Sequence, residues 1–349
     1  MNNRRKSAVT TAALLVTLAG VIFAAIQMRR NSAEPLFTAQ ARPVYLLPPD
    51  NGTTRLQEYS WISPTRLLML QTYGHTGQAY TVDTVSGEKT ILDGINQQLK
   101  GTQVVELSPG PSPNGDWILF RRYRMQGDSD TFATSLDGTR RFEWKESAGS
   151  MTDQSFSGPP LWESDNSHWL EFKESRNLAG ITVVRHGISE KNSKLAEIAI
   201  AGIPIGLDSR GNLIAVDTEY ASVAKHRLLT YDVTTGKQVG ELTVPLPEEA
   251  AMLQVAISSQ RTRIAFVIQA GGRPLYPGWL GRLFPAIARQ RTPRRFSLWL
   301  CGMDGTHLHE LGYCDQNQDL SGLTDLKWLP DGSGVSVVYK AKVWLIPAH

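Results

Sequence analysis

The chain has 349 residues, 41% apolar and 20% charged, which allows one large domain or two ordinary ones with a full-sized core. A formal net charge of +3 and a pI near 8.8 are too small a basic excess to imply nucleic acid. Part of that excess sits beside an N-terminal apolar run and part in one later insertion, so it is a local matter.

The first element in chain order is that apolar run. Residues 7–27, from Ser7 to Gln27, carry no charge and are long enough to cross about 30 Å of hydrocarbon as a helix. Arg4, Arg5 and Lys6 precede the run and Arg29 and Arg30 follow it, so the positive-inside bias predicts a cytoplasmic N-terminus and an extracytoplasmic remainder. A cleaved signal peptide fits less well, because the small-residue site Ala39-Gln40-Ala41 lies well beyond the run. The expectation is a single-pass signal-anchor in residues 1–30. Residues 31–43 are polar, contain two prolines and read as a tether reaching at most about 40 Å.

From residue 44 onward one unit recurs. A turn joining two strand-like runs appears at Ser63-Pro64, Ser112-Pro113-Asn114-Gly115, Ser164-Asp165-Asn166, Asp208-Ser209-Arg210-Gly211, Ser258-Ser259-Gln260 and Leu329-Pro330-Asp331-Gly332. The spacings are 49, 52, 44, 50 and 71, and the outlier contains an insertion at residues 272–295. Second turns follow at Ser86-Gly87, Asp137-Gly138, Thr235-Gly236 and Asp304-Gly305, with the third repeat degenerate at Lys191-Asn192. The runs between turns alternate with period 2 or are continuously apolar, as strands buried between sheets are.

The pair MDGTHLHEL and KWLPDGSGVSVVY resembles the repeat of TolB-like and WD-repeat propellers, in which a WSPDG-type turn joins the inner strands and a DG turn the outer ones. The resemblance covers residues 43–349 and implies an all-β, six-bladed β-propeller of four-stranded blades over residues 44–349. The last repeat supplies three strands, so Val44 to Leu47 is expected to be its fourth. On that register the tether enters at the start of a fourth strand, from the face opposite to insertion 272–295. Trp61, Trp162 and Trp328, each just before an inner turn, read as inter-blade core.

For chemistry, the chain lacks a G-x-S-x-G elbow, H-E-x-x-H, a P-loop and a helix-opening G-x-G-x-x-G, so no motif argues for an enzyme. Cys301 and Cys314 are the only cysteines, and their hairpin register puts them too far apart for a disulfide. His307 and His309 could share one strand face, but they lack a third metal ligand. Asp315, Asn317 and Asp319 have the alternating oxygen pattern of a calcium loop, with Leu320 and Leu326 where glycine and glutamate would be needed. Cofactors are otherwise not expected. The insertion combines Trp279, Leu283 and Phe284 with Arg282, Arg289 and Arg291, a composition that fits first a lid packed on the ring, next a partner-binding element and last a membrane-surface contact.

Two functions fit. The favoured one is a membrane-tethered, extracytoplasmic module binding an unidentified protein partner through the insertion. The alternative is a calcium-dependent enzyme similar to the lactonase or esterase propellers, which hold the ion in the central channel.

Overall fold

The computed structural model describes residues 36–38, 40–47, 54–73, 76–100, 104–123, 129–145, 160–174, 180–188, 193–199, 202–217, 227–246, 250–270, 294–315 and 322–348. The apolar run 7–27 lies outside these residues, and so does most of the insertion. Among the described residues no helix is long and apolar enough to cross a membrane.

Two strands lead the described chain, β1 (Leu36–Phe37) and β2 (Arg42–Leu46). Blade 1 follows as β3 (Thr54–Ser63), β4 (Arg66–Tyr73), β5 (Thr76–Asp83) and β6 (Lys89–Ile91), then helix α1 (Asp93–Leu99). Blade 2 is β7 (Val104–Pro111), β8 (Trp117–Tyr123), β9 (Ser129–Ser135) and β10 (Arg141–Lys145). Blade 3 is β11 (Leu161–Trp162), β12 (His168–Glu174), β13 (Ile181–Gly187) and β14 (Ser193–Ile198). Blade 4 is β15 (Gly202–Leu207), β16 (Leu213–Asp217), β17 (Arg227–Tyr231) and β18 (Gln238–Thr243). Blade 5 is β19 (Ala250–Ile257), β20 (Arg263–Ala270), β21 (Arg295–Gly302) and β22 (His309–Asp315). Blade 6 is β23 (Thr324–Trp328), β24 (Gly334–Tyr339) and β25 (Lys342–Pro347).

Six antiparallel sheets result, so the fold is the expected six-bladed propeller. All six inner turns fall where the repeats put them, and the outer turns carry glycines at positive φ, including Gly87, Gly138, Gly236 and Gly305. An aspartate sets each of these outer turns. Hydrogen bonds from Ser135 and Thr139 hold the Asp137 carboxyl at about 2, and bonds from Thr234 and Thr235 do the same for Asp232.

Blade 6 is closed by the beginning of the chain. β2 pairs antiparallel with β25, Arg42 opposite Leu345 and Leu46 opposite Lys342, with an irregularity between Pro43 and Tyr45. The closing strand thus starts two residues before the expected Val44. Val44, Tyr45 and Leu47 pack against the core shared by blades 6 and 1, and the Tyr45 hydroxyl lies 3.2 Å from that of Tyr80.

β1 was not anticipated. Leu36 and Phe37, inside the stretch read as tether, pair with Tyr313 and Gly312 and make blade 5 five-stranded. The Thr38 amide extends the ladder by donating to Leu311 O at 3.0 Å, and Phe37 meets Trp344 of blade 6 at 5.5 Å between ring centroids.

The direction of β1 corrects the expected geometry of entry. The inner and outer turns share one face of the ring, here the upper. β22 starts beside the upper turn at Asp304-Gly305 and ends at the lower face, and β1 runs against it, so the chain arrives at Leu36 from below. Ala270 and Arg294, which flank the connection containing the insertion, lie at that same lower end of blade 5. The tether and the roots of the insertion therefore share a face. The expectation failed because it took β2 as the first ordered strand.

Helix α1 was also not anticipated. It replaces the rest of a short outer strand: the Asn96 side chain accepts from the Ala79 amide at 2.6 Å and donates to Ala79 O at 3.0 Å, standing in for a strand neighbour. Ile95 and Leu99 are fully buried beneath it. A Cβ on Gly138 would meet Gly94 backbone at 2.5 Å, so the turn of blade 2 and the helix can touch only with glycine at that position.

The blade 2–blade 3 interface buries a charged network. Arg121 Nη2 donates to Glu171 Oε1 at 2.9 Å, and His186 Nε2 lies 3.0 Å from Glu171 Oε2. The Trp169 ring stacks on His186 at 5.1 Å. Burial pushes the Glu171 carboxyl up, but the His186 hydrogen bond and the charges of Lys173, His186 and Arg121 outweigh it and hold the group at about 2.

Cys301 and Cys314, on β21 and β22, are both buried and not linked in a disulfide, as the hairpin register required.

Candidate functional site

The innermost strands of all six blades converge on the axis, and residues from all six line an open-mouthed cavity of about 350 Å³. Trp61, Trp162 and Trp328 line it together with Pro111, Ile205 and Val255. Each tryptophan is anchored to the preceding blade. Trp61 Nε1 donates to Ser336 Oγ at 2.8 Å, Trp162 Nε1 to Gly110 O at 3.1 Å and Trp328 Nε1 to Ala256 O at 2.9 Å. The inter-blade role expected from sequence is present, and the same rings form the wall of the mouth.

Polar stitches hold the rim. Arg261, at φ +58, donates to Asp208 O at 3.2 Å and to Trp162 O at 3.4 Å, tying blade 5 to blades 4 and 3. Arg263 reaches the other way, to Ala348 O and Gly332 O, with its guanidinium 5.2 Å from the Trp328 ring. These bonds fix the blade 5 turn to blades 3, 4 and 6 and restrain the shape of the mouth there, which lowers the entropic cost of filling it.

The charged residue lining the cavity is Lys327. Its Nζ donates to Tyr59 O, and burial pushes its pKa below the ordinary lysine value while Asp325 and Glu58 oppose that. The mouth thus carries a poorly hydrated amine among aromatic walls.

A relay beneath fixes this lysine's surroundings. Trp61 donates to Ser336 Oγ, the Tyr59 hydroxyl lies 3.2 Å from Ser336 Oγ, and Tyr59 donates to Asp325 O at 2.8 Å. Because the Tyr59 proton is committed to Asp325, the Ser336 hydroxyl donates to Tyr59 and every member is satisfied. Asp325 turns its carbonyl to Tyr59 by adopting φ +51 at a strand irregularity, a conformation aspartate tolerates better than most residues.

Glu58 completes the group. It accepts a 2.5 Å hydrogen bond from the Leu107 amide of blade 2. Burial pushes its carboxyl up to about 7; the Leu107 amide and Lys327 pull down, and Glu106 and Asp325 push further up. An acid held above its ordinary value of 4.5 contributes its full stability below that pH and loses it as the pH rises to about 7. At about 1.4 kcal/mol per pH unit this loss is on the order of 3 kcal/mol. Glu58→Gln keeps the acceptor for Leu107 and cannot ionise. Denaturant unfolding should show the variant matching the native protein near pH 4 and exceeding it by roughly that amount near pH 8. Equal pH slopes in the two proteins would refute the assignment.

The metal candidates from sequence fare differently. His307 sits in the turn at φ +57 and β22 begins only at His309, whose Nδ1 lies 2.7 Å from His307 O, so the two histidines do not share a strand face. Asn317 and Asp319 lie outside the described residues; Asp315 ends β22, and Leu326 is buried in the core with its amide bonded to Gln254 Oε1 at 2.8 Å. Among the described residues, Glu163, Asp165 and His168 on the blade 3 inner turn could surround an ion. Arg185 already holds Glu163 through both oxygens at 3.0 and 3.1 Å. Trp279, Arg282, Leu283, Phe284, Arg289 and Arg291 lie outside the described residues. Sequence reading missed Glu58 and Lys327; the signal for the latter is a lysine replacing a neutral residue just before the turn tryptophan in KWLPDG.

No family model matches the chain and no curated protein matches it. Among solved structures it is similar to a protein from Agrobacterium tumefaciens described as a TolB, with 14% identity and a TM-score of 0.49 over 84% of this chain and 90% of that one. It is also similar to virginiamycin B lyase from Staphylococcus aureus, at 11% identity and 0.43, over 89% of this chain and 100% of that one. A third similarity is to the tricorn protease, at 11% identity and 0.46, covering 84% of this chain and 29% of that one.

Proposed function

We propose that this propeller is a binding module, held on the extracytoplasmic side of a membrane by residues 7–27, that receives a segment of a partner protein at its channel mouth. The observation that carries this reading is the cavity itself: walls from six blades, three fixed tryptophans and one lysine. Rigid aromatic surface beside a desolvated amine suits an apolar peptide segment carrying a carboxylate, because a charge-assisted hydrogen bond gains strength where water is excluded.

Binding is favoured over metal-dependent catalysis by what occupies the channel. Lys327 supplies a basic group from the protein itself that interacts favourably with Glu58 and Asp325, the kind of partner a channel ion would otherwise be.

The test is affinity for a set of short peptides that end in an apolar residue and bear a free C-terminal carboxylate, compared with their amidated forms. The native protein should prefer the free acids, and Lys327→Met should weaken them by about tenfold or more while leaving amidated peptides unaffected. If the substitution weakens neither, or both alike, the mouth does not work in this way.

A further inference from the structure

Only eight residues, 28–35, separate the apolar run from the first paired residue, Leu36. Fully extended they reach about 28 Å. The chain leaves Leu36 downward, towards the lower face. To set the upper face on a bilayer it would have to reverse in a turn of about four residues, which leaves about 14 Å of reach, and climb about 17 Å from the level of Ile268, in register with Leu36 through Ser297 and Tyr313, to Arg263 at the upper end of β20. It would then cross a headgroup layer of roughly 6 Å. The tether is too short for both.

The lower rim beside that point is basic. Arg294 and Arg295 are exposed where β21 begins, with the Arg295 guanidinium 3.6 Å from the Tyr313 ring. In blade 6 the hairpin turn Lys340-Ala341, with both residues at positive φ, projects from the same face, and Lys342 follows it. Leu46, opposite Lys342 in register, is 65% exposed. Asp315 is in register with Arg295, and Asp325 is exposed near the lower end of β23, so acidic residues also stand on this rim. Cationic side chains around an exposed leucine suit the boundary between anionic headgroups and acyl chains.

We infer that the lower rim of blades 5 and 6 rests on an anionic lipid surface, with Arg294, Arg295, Lys340 and Lys342 towards the headgroups and Leu46 at the interface. The channel mouth then opens away from the bilayer. This inference rests on the reading of residues 7–27 as an anchor, and it makes the rim a second site of attachment whose contribution is multiplied by the high local concentration the tether imposes.

The experiment uses the full chain in vesicles, with a fluorophore at Leu46→Cys or at Val85→Cys on the upper face and an acceptor in the lipid. Cys301 and Cys314 are buried, and burial pushes the Cys301 thiol up to about 11, so labelling falls on the introduced cysteine. In phosphatidylcholine–phosphatidylglycerol vesicles, transfer should be several-fold stronger from position 46 than from position 85. Transfer from position 46 should fall when phosphatidylglycerol is omitted, and also in Arg294→Glu with Lys340→Glu, whose melting midpoint checks that it folds. Equal transfer from the two positions, or stronger transfer from position 85, overturns the orientation. Transfer from position 46 that ignores lipid charge overturns the anionic contact. A chain that does not float with vesicles overturns the proposal by a separate route, since the anchor itself is then wrong.

Discussion

Glu171→Leu should destabilise the protein by about 3–5 kcal/mol, because it leaves Arg121 and His186 buried at the blade 2–blade 3 interface without their shared carboxylate. In melting experiments this corresponds to a fall on the order of 10 °C. The loss comes from removing the carboxylate that both buried groups bond to more than from the pair's own attraction, which a second variant separates. Replacing Arg121, Glu171 and His186 together by Met, Leu and Phe should recover most of the stability, since well-packed apolar side chains can match a buried ionic group. The native protein should also show the network in its acid response. With Glu171 held at about 2, its contribution is present above the ordinary carboxylate value of 4.5 and drains away as the pH falls towards 2. A single-variant cost below about 1 kcal/mol would show that water or relaxation replaces the carboxylate.

Removing residues 1–47 should cost about 5 kcal/mol or more and produce aggregation, whereas removing residues 1–35 should leave stability within about 1 kcal/mol. The longer deletion takes away β2, leaves β25 as an unpaired edge and strips Val44, Tyr45 and Leu47 from the core. Half-burial of three such side chains contributes about 1–2 kcal/mol each, to which the lost ladder adds. An open strand edge is a template for another chain, so light scattering should rise with the longer deletion alone. Coincident denaturation midpoints for the two truncations would mean that the ring does not depend on its closing strand.

The blades were legible in the sequence because turn chemistry is local. Asp208-Ser209-Arg210-Gly211 announces its turn without help from any distant residue: Asp208 Oδ1 accepts from the Arg210 and Asn212 amides, both at 2.8 Å, and Gly211 takes φ +85. β1 was not legible, since two residues have no period and the pairing partner lies more than 270 positions away. α1 was hidden for a related reason. Seven residues make a marginal helix, and what holds DGINQQL in place is the contact of Asn96 with Ala79 and the burial of Ile95 and Leu99. The site lay between these cases. The tryptophans stood out by position, but Glu58 and Lys327 are ordinary surface residue types until the ring closes and brings blades 1 and 6 side by side. The burial that raises the Glu58 carboxyl exists only in the assembled ring.

β1 also has a mechanical consequence. A pull on the chain upstream of Leu36 acts along the axis of β22, so it loads the β1 bonds in shear, together, rather than unzipping them one by one. The Ala41 amide donates to Thr38 O at 2.9 Å, and this turn separates β1 from β2. The short fifth strand of blade 5 therefore acts as a strain relief: tension entering at the N-terminus is taken up there before it reaches the strand that keeps the ring shut.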